Sequence, residues 1–149
     1  MTWVLLGAAL VLGAALAVQV GVNSLLRGGL GHPMLAATVS FVIGTVGLGL
    51  VTLALRPALP AAAQLARIPW WHWAGGLLGA VYVASAIVLA PRLGAATLLA
   101  AIVAGQMLAS LVLDHYGLLG FPVQPISAGR ILAVVLIIAG VLLLQAQRA

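Results

Sequence analysis

Residues 3–26 read WVLLGAALVLGAALAVQVGVNSLL, an unbroken run without a charged side chain that ends at Arg27. At about 1.5 Å of rise per residue, such a run in helical form is long enough to cross a hydrocarbon layer about 30 Å thick. A secretory signal peptide is the competing reading of an apolar N-terminal stretch. No Lys or Arg precedes this one and it is too long for the apolar region of a signal, so a retained first span is expected.

The same pattern recurs along the chain. Apolar runs between polar, Pro or Gly breaks place spans at about 3–26, 33–55, 71–90, 94–115 and 130–147. The expected fold is an all-α integral membrane protein with five transmembrane helices, forming a single transmembrane domain over residues 1–149. Composition agrees: 65% of the 149 residues are hydrophobic, 5% are charged and the mean hydropathy is +1.32. A soluble domain carries about 25% charged residues. Five spans consume roughly 100 residues, which leaves no room for a separate water-soluble catalytic domain.

The breaks have readable chemistry. Arg27-Gly-Gly-Leu-Gly-His-Pro33 reads as a glycine turn followed by a proline at a helix start. Arg56 to Trp70 holds Pro57, Pro60 and Pro69, Pro91-Arg92-Leu93-Gly94 reads as a tight connection, and Tyr116 to Gly129 holds Pro122 and Pro125. Trp3, Trp70, Trp71, Trp73 and Tyr116 fall at span ends, as an interfacial aromatic belt does. Gly75 with Gly79, and Ala101, Gly105 and Ala109, have the spacing that lets helices approach closely in lipid.

The ionisable inventory is six Arg, no Lys, three His and one acid, Asp114, for a formal charge of +5. The arginines are scattered singly at span ends, which is interfacial charge and not a nucleic-acid surface. His32, His72 and His115 lack metal-ligand spacing, there is no cysteine, and no nucleophile–base–acid set occurs; an enzyme, a cofactor and a metal site are not expected. With the N-terminal side called A, Arg56, Arg67 and Arg130 fall on side A and Arg27, Arg92 and Arg148 on side B. Because loop Lys and Arg bias insertion, this balance predicts weakly determined orientation, in which copies insert both ways and pair antiparallel. A single orientation with an indifferent count is the alternative. Many transporters place their solute between two halves of opposite topology. Five helices cannot contain two equal inverted halves, whereas two antiparallel copies supply them.

Polar side chains inside spans are the candidates for contact with a solute, since each needs a partner or a wet cavity. Gln19, Asn23 and Arg27 recur at i, i+4 and i+8 on the first span, and Gln106, Ser110 and Asp114 do so on the fourth. Helix–helix hydrogen bonds worth about 0.6–2 kcal/mol each are an equal explanation for these stripes. Gln106 and Tyr82 fall nearest the midplane, Gln19 lies about one turn toward side B, and Asn23 is nearer the surface. Ser40, Thr45, Ser85 and Thr97 are expected to bond to their own helix backbone. Asp114 shares its depth with Arg130, so an ion pair within the chain is the ordinary expectation. The sharper one is a pair between Asp114 and Arg27 of an antiparallel copy.

Gln19-Val-Gly-Val-Asn23-Ser-Leu-Leu-Arg27, Ser40-Phe-Val-Ile-Gly44, Pro69-Trp-Trp71 with Gly75-Gly76, Gly79-Ala-Val-Tyr82, and Gly105-Gln106 followed by Asp114-His-Tyr-Gly117 resemble the YdcZ family of the drug/metabolite transporter superfamily. The resemblance runs over nearly the whole chain, and His115 stands where an aromatic residue is usual. It implies a five-helix protein of the bacterial inner membrane and a transporter half that dimerises, without naming a substrate. The expectation is therefore a small-molecule transporter working as an antiparallel homodimer by alternating access. Gln19, Asn23, Tyr82, Gln106 and Ser110 would line the path, with Arg27, Asp114 and Arg130 at its mouths or in dimer ion pairs. With no Asp, Glu, Lys or His at mid-span, the expected solute is neutral, zwitterionic or anionic. A dual-orientation channel and a non-transporting membrane scaffold are the alternatives.

Overall fold

A computed structural model describes residues 2–147, so Arg148 lies outside the described residues. They form helices without strands: α1 (Thr2–Leu30), α2 (Pro33–Leu55), α3 (Ala62–Leu65), α4 (Ala74–Leu93), α5 (Ala95–Tyr116) and α6 (Ala128–Ala146), with short 3-10 turns at Trp70–Trp73 and Leu118–Gly120. Five of the helical segments are long and apolar enough to cross a membrane, the Trp70–Trp73 turn being continuous with α4. The architecture is thus all-helical, as the apolar runs require of a chain whose backbone must satisfy itself in lipid.

Two boundaries differ from the sequence expectation. α1 does not stop at Arg27 but continues through Gly28 and Gly29 to Leu30. Only Gly31 turns the chain: its φ is +73° and its N–H donates to the Arg27 carbonyl at 2.8 Å, a left-handed helix terminus that a Cβ disfavours. His32 then caps α2, its Nδ1 accepting the Met34 N–H at 3.2 Å, and Pro33 takes the first helical position, where a missing N–H costs nothing. α4 likewise runs through Pro91 to Leu93, so the connection to α5 is Gly94 alone. In both places the helix persists because unpaired backbone is costlier in a membrane than a glycine or a proline inside a helix.

The chain divides into two compact units, Met1–Pro91 and Arg92–Ala149. In the first, α1 and α2 pack directly as a hairpin, and α4 joins them through side chains. Ala36 and Ala37 of α2 and Val83 and Ile87 of α4 are buried together, with Leu26, Tyr82 and Ala84 around them. Gly79 faces α2, since a Cβ there would lie 3.6 Å from the Phe41 ring, whereas Gly75 has open space. In the second unit α5 packs on α6. The stripe of Ala101, Gly105 and Ala109 is exposed, while Ala104 is buried.

This geometry separates the three glycines of the first break. Gly31→Ala forces an alanine into the left-handed region and is expected to destabilise by about 1–2 kcal/mol. Gly29→Ala, in helix with open space around it, is expected to gain up to about 1 kcal/mol. Thermal melting of the two variants in detergent gives opposite shifts if the turn is confined to residue 31, and equal losses if the turn spans all three glycines.

Candidate functional site

The polar face of α1 borders grooves in the first unit. One groove of about 370 Å³ is lined by Ala15, Val18, Gln19, Val22, Asn23, Leu26, Ser40 and Ile43. A second, of about 200 Å³, places Gln19 beside Ser40, Phe41, Gly44, Thr45, Leu48 and Val83, drawing its walls from α1, α2 and α4. Gln19 is exposed and lines both, whereas Asn23 is 5% exposed and lines the first. Apart from these amides and the hydroxyls of Ser40 and Thr45, their walls are hydrocarbon. Such a groove can bind a mostly apolar solute and orient it through an amide and a few hydroxyls.

Ser40 and Thr45 belong to these walls, a placement that the sequence reading did not assign them. Back-bonding to the helix does occur elsewhere: Ser24 donates to the Val20 carbonyl at 2.9 Å and Thr52 to the Leu48 carbonyl at 2.8 Å. Tyr82 is half-buried and packs against the Ala36, Ala37, Val83 and Ile87 cluster. Gln106 and Ser110 lie exposed on α5, in the second unit.

A model of the family described as "Putative inner membrane exporter, YdcZ" matches residues 4–143 of the chain. The chain belongs to the YdcZ family. Over 76 residues it is 33% identical to the inner membrane protein YdcZ of Escherichia coli (strain K12), a match covering 51% of this chain and 50% of that protein. The match spans about half the length of this curated relative. No solved structure matches the chain. With its five candidate spans, this YdcZ-family chain is a multi-pass inner-membrane protein of a transporter family and not of an enzyme family.

The one acid of this YdcZ-family chain has a partner within its own unit. Arg130 Nη2 lies 3.1 Å from Asp114 Oδ2, and both side chains are partly buried. The same guanidinium donates through Nη1 to the Gln124 carbonyl at 3.1 Å and also contacts Gln124 Oε1. Around it the loop is tied back to α5: the Gln124 N–H donates to the Asp114 carbonyl at 2.8 Å, and His115 Nδ1 accepts the Ile126 N–H at 3.2 Å. Gly117 closes the end of α5 at φ +60°, where a Cβ would meet Val123 Cγ2 at 2.7 Å. Ser127 then caps α6 by accepting the Arg130 N–H at 3.3 Å. Depth on the two helices signals the ion pair, but Gln124 carries no signal because it lies in a loop without periodicity.

Arg27 is engaged as well. Its Nη1 donates to the Ile87 carbonyl of α4 at 3.3 Å. Both partners of the expected pair between Arg27 and the Asp114 of a second copy thus already make contacts within their own chain. Trp3 and Trp70 are the most exposed of the aromatic side chains at helix starts, with Trp73 and Trp71 following and Trp71 edge-on to His72 at 3.9 Å.

The Arg130 cluster ranks its members. Arg130→Ala removes the donor shared by Asp114 and Gln124 and is expected to expose the 117–127 loop to proteolysis. Asp114→Asn leaves the Gln124 contacts in place and is expected to change cleavage little, since a partly solvated ion pair contributes only about 0–1 kcal/mol. Limited proteolysis in detergent checks the order.

Proposed function

We propose that this chain is one half of a small-molecule transporter, that two copies of opposite orientation complete it, and that it works by alternating access. Gln19, Asn23, Tyr82, Gln106 and Ser110 are the proposed contacts along the path, with arginines at its mouths. The observation that carries the paired reading is the distribution of interfacial residues. If each long helix crosses the bilayer once, Trp3, the Trp70, Trp71 and Trp73 turn, and Tyr116 all fall on side A, while the arginines divide three and three. Membrane proteins anchor at both interfaces, and a lone copy would carry its aromatic belt at one. An antiparallel pair presents a belt at each face and the same charge on both.

The proposed solute is neutral, zwitterionic or anionic. Asp114 is the chain's one acid and is held by Arg130, which leaves a cation no free carboxylate to meet. The grooves beside Gln19 favour a solute whose surface is largely apolar and whose few polar groups match an amide or a hydroxyl.

Reconstitution into proteoliposomes tests this reading against its rivals. Saturable flux is expected for some neutral, zwitterionic or anionic solutes and for no permanent cation, with Gln19→Leu and Gln106→Leu each lowering it at least about tenfold, an unpaired polar group costing about 1–3 kcal/mol. Non-saturating conductance in a planar bilayer would indicate a channel instead. Intact assembly without flux of any tested class would indicate a scaffold.

A further inference from the structure

A proline inside a helix withholds the N–H that would bond to the carbonyl four residues earlier, and its ring pushes that carbonyl aside. In α4 the proline is Pro91 and the carbonyl is that of Ile87. Ile87 is fully buried, so water does not stand in for the missing donor. The donor that does reach it is Arg27 Nη1, from the last turn of α1, sixty residues earlier in the chain. A guanidinium is suited to this position because it keeps its charge, offers several donors in one plane and is carried on a stem that can lie along apolar surface.

We propose that Arg27 is a latch across a proline hinge: its guanidinium replaces the donor that Pro91 lacks, holds the end of α4 to α1, and must release the Ile87 carbonyl before α4 bends at Pro91. Two further observations bear on the hinge. The division between the two compact units falls at Pro91. α4 also contributes Val83 to the wall of the groove that Gln19 lines, so the latch sets the separation of the helices that bound it. Arg27 is in this account a positioning residue that acts through α4, and its role is independent of which solute the chain carries.

The test exploits the backbone origin of the vacancy. Pro91→Ala restores the N–H at residue 91, so the Ile87 carbonyl regains a helical donor and Arg27 becomes dispensable there. Hydrogen–deuterium exchange of the full chain in nanodiscs reads the amides of residues 88–90, 92 and 93, since Pro91 has none. Arg27→Met is expected to speed their exchange at least about tenfold, the loss of one charge-assisted hydrogen bond to a buried acceptor. Arg27→Lys is expected to give an intermediate rate, and Arg27→Met with Pro91→Ala to return protection to that of the parent. If Arg27→Met does not fold, the double variant is expected to fold. An Arg27→Met effect of equal size with and without the Pro91→Ala substitution, no effect in either background, or failure of both variants to fold overturns the proposal.

Discussion

Hydrocarbon offers no hydrogen-bond partner to a backbone N–H or C=O, and this constraint shapes the chain more than any single contact. It explains why α1 runs on through Gly28 and Gly29, and why α4 runs on through Pro91, when both sequences would end a helix in water. It also explains where the strongest polar side chains are placed. Arg27 serves a backbone carbonyl that a proline has orphaned, and Arg130 serves the carbonyl of Gln124 at the end of a loop. Two of the arginines, Arg27 and Arg130, thus complete the backbone's hydrogen bonding, and Arg130 also pairs with Asp114.

The five long helices were legible because each is an apolar run of membrane-crossing length, and α2 was the most legible because Pro33 and Arg56 bound it chemically at both ends. Where helix ends differ from the apolar runs, glycine and proline stay inside helices that they would end in water. The stripe of Gln19, Asn23 and Arg27 was visible by helical spacing, but its three members differ in the structure: Gln19 opens on the grooves, Asn23 is buried, and Arg27 turns to α4. Helical periodicity reports which face a residue shares and not what covers that face. The Arg27 contact escaped a reading of side chains because its acceptor is a main-chain carbonyl, although Pro91, four residues after Ile87, was the available signal.

Membership of the YdcZ family and five apolar helices establish a multi-pass inner-membrane protein of a transporter family. The described chain exposes most of the large apolar side chains of its long helices, as a surface meant for lipid or for another copy does. The proposed antiparallel pair accounts together for the odd helix number, the even division of arginines and the one-sided aromatic belt. It places on one molecule only half of the proposed path. Gln19 and its grooves lie in the first unit and Gln106 in the second, and two inverted copies would present each twice.

Orientation in the membrane tests the pairing most directly. The sequence has no cysteine, so a single one introduced by Ala58→Cys, between α2 and α3, or by Ala95→Cys, at the start of α5, can be labelled without background. In intact cells an impermeant thiol reagent should modify roughly half of the molecules at each position, as equal insertion in both directions requires. Complete labelling at one position with none at the other would mean that every copy points the same way, and the antiparallel transporter would be excluded.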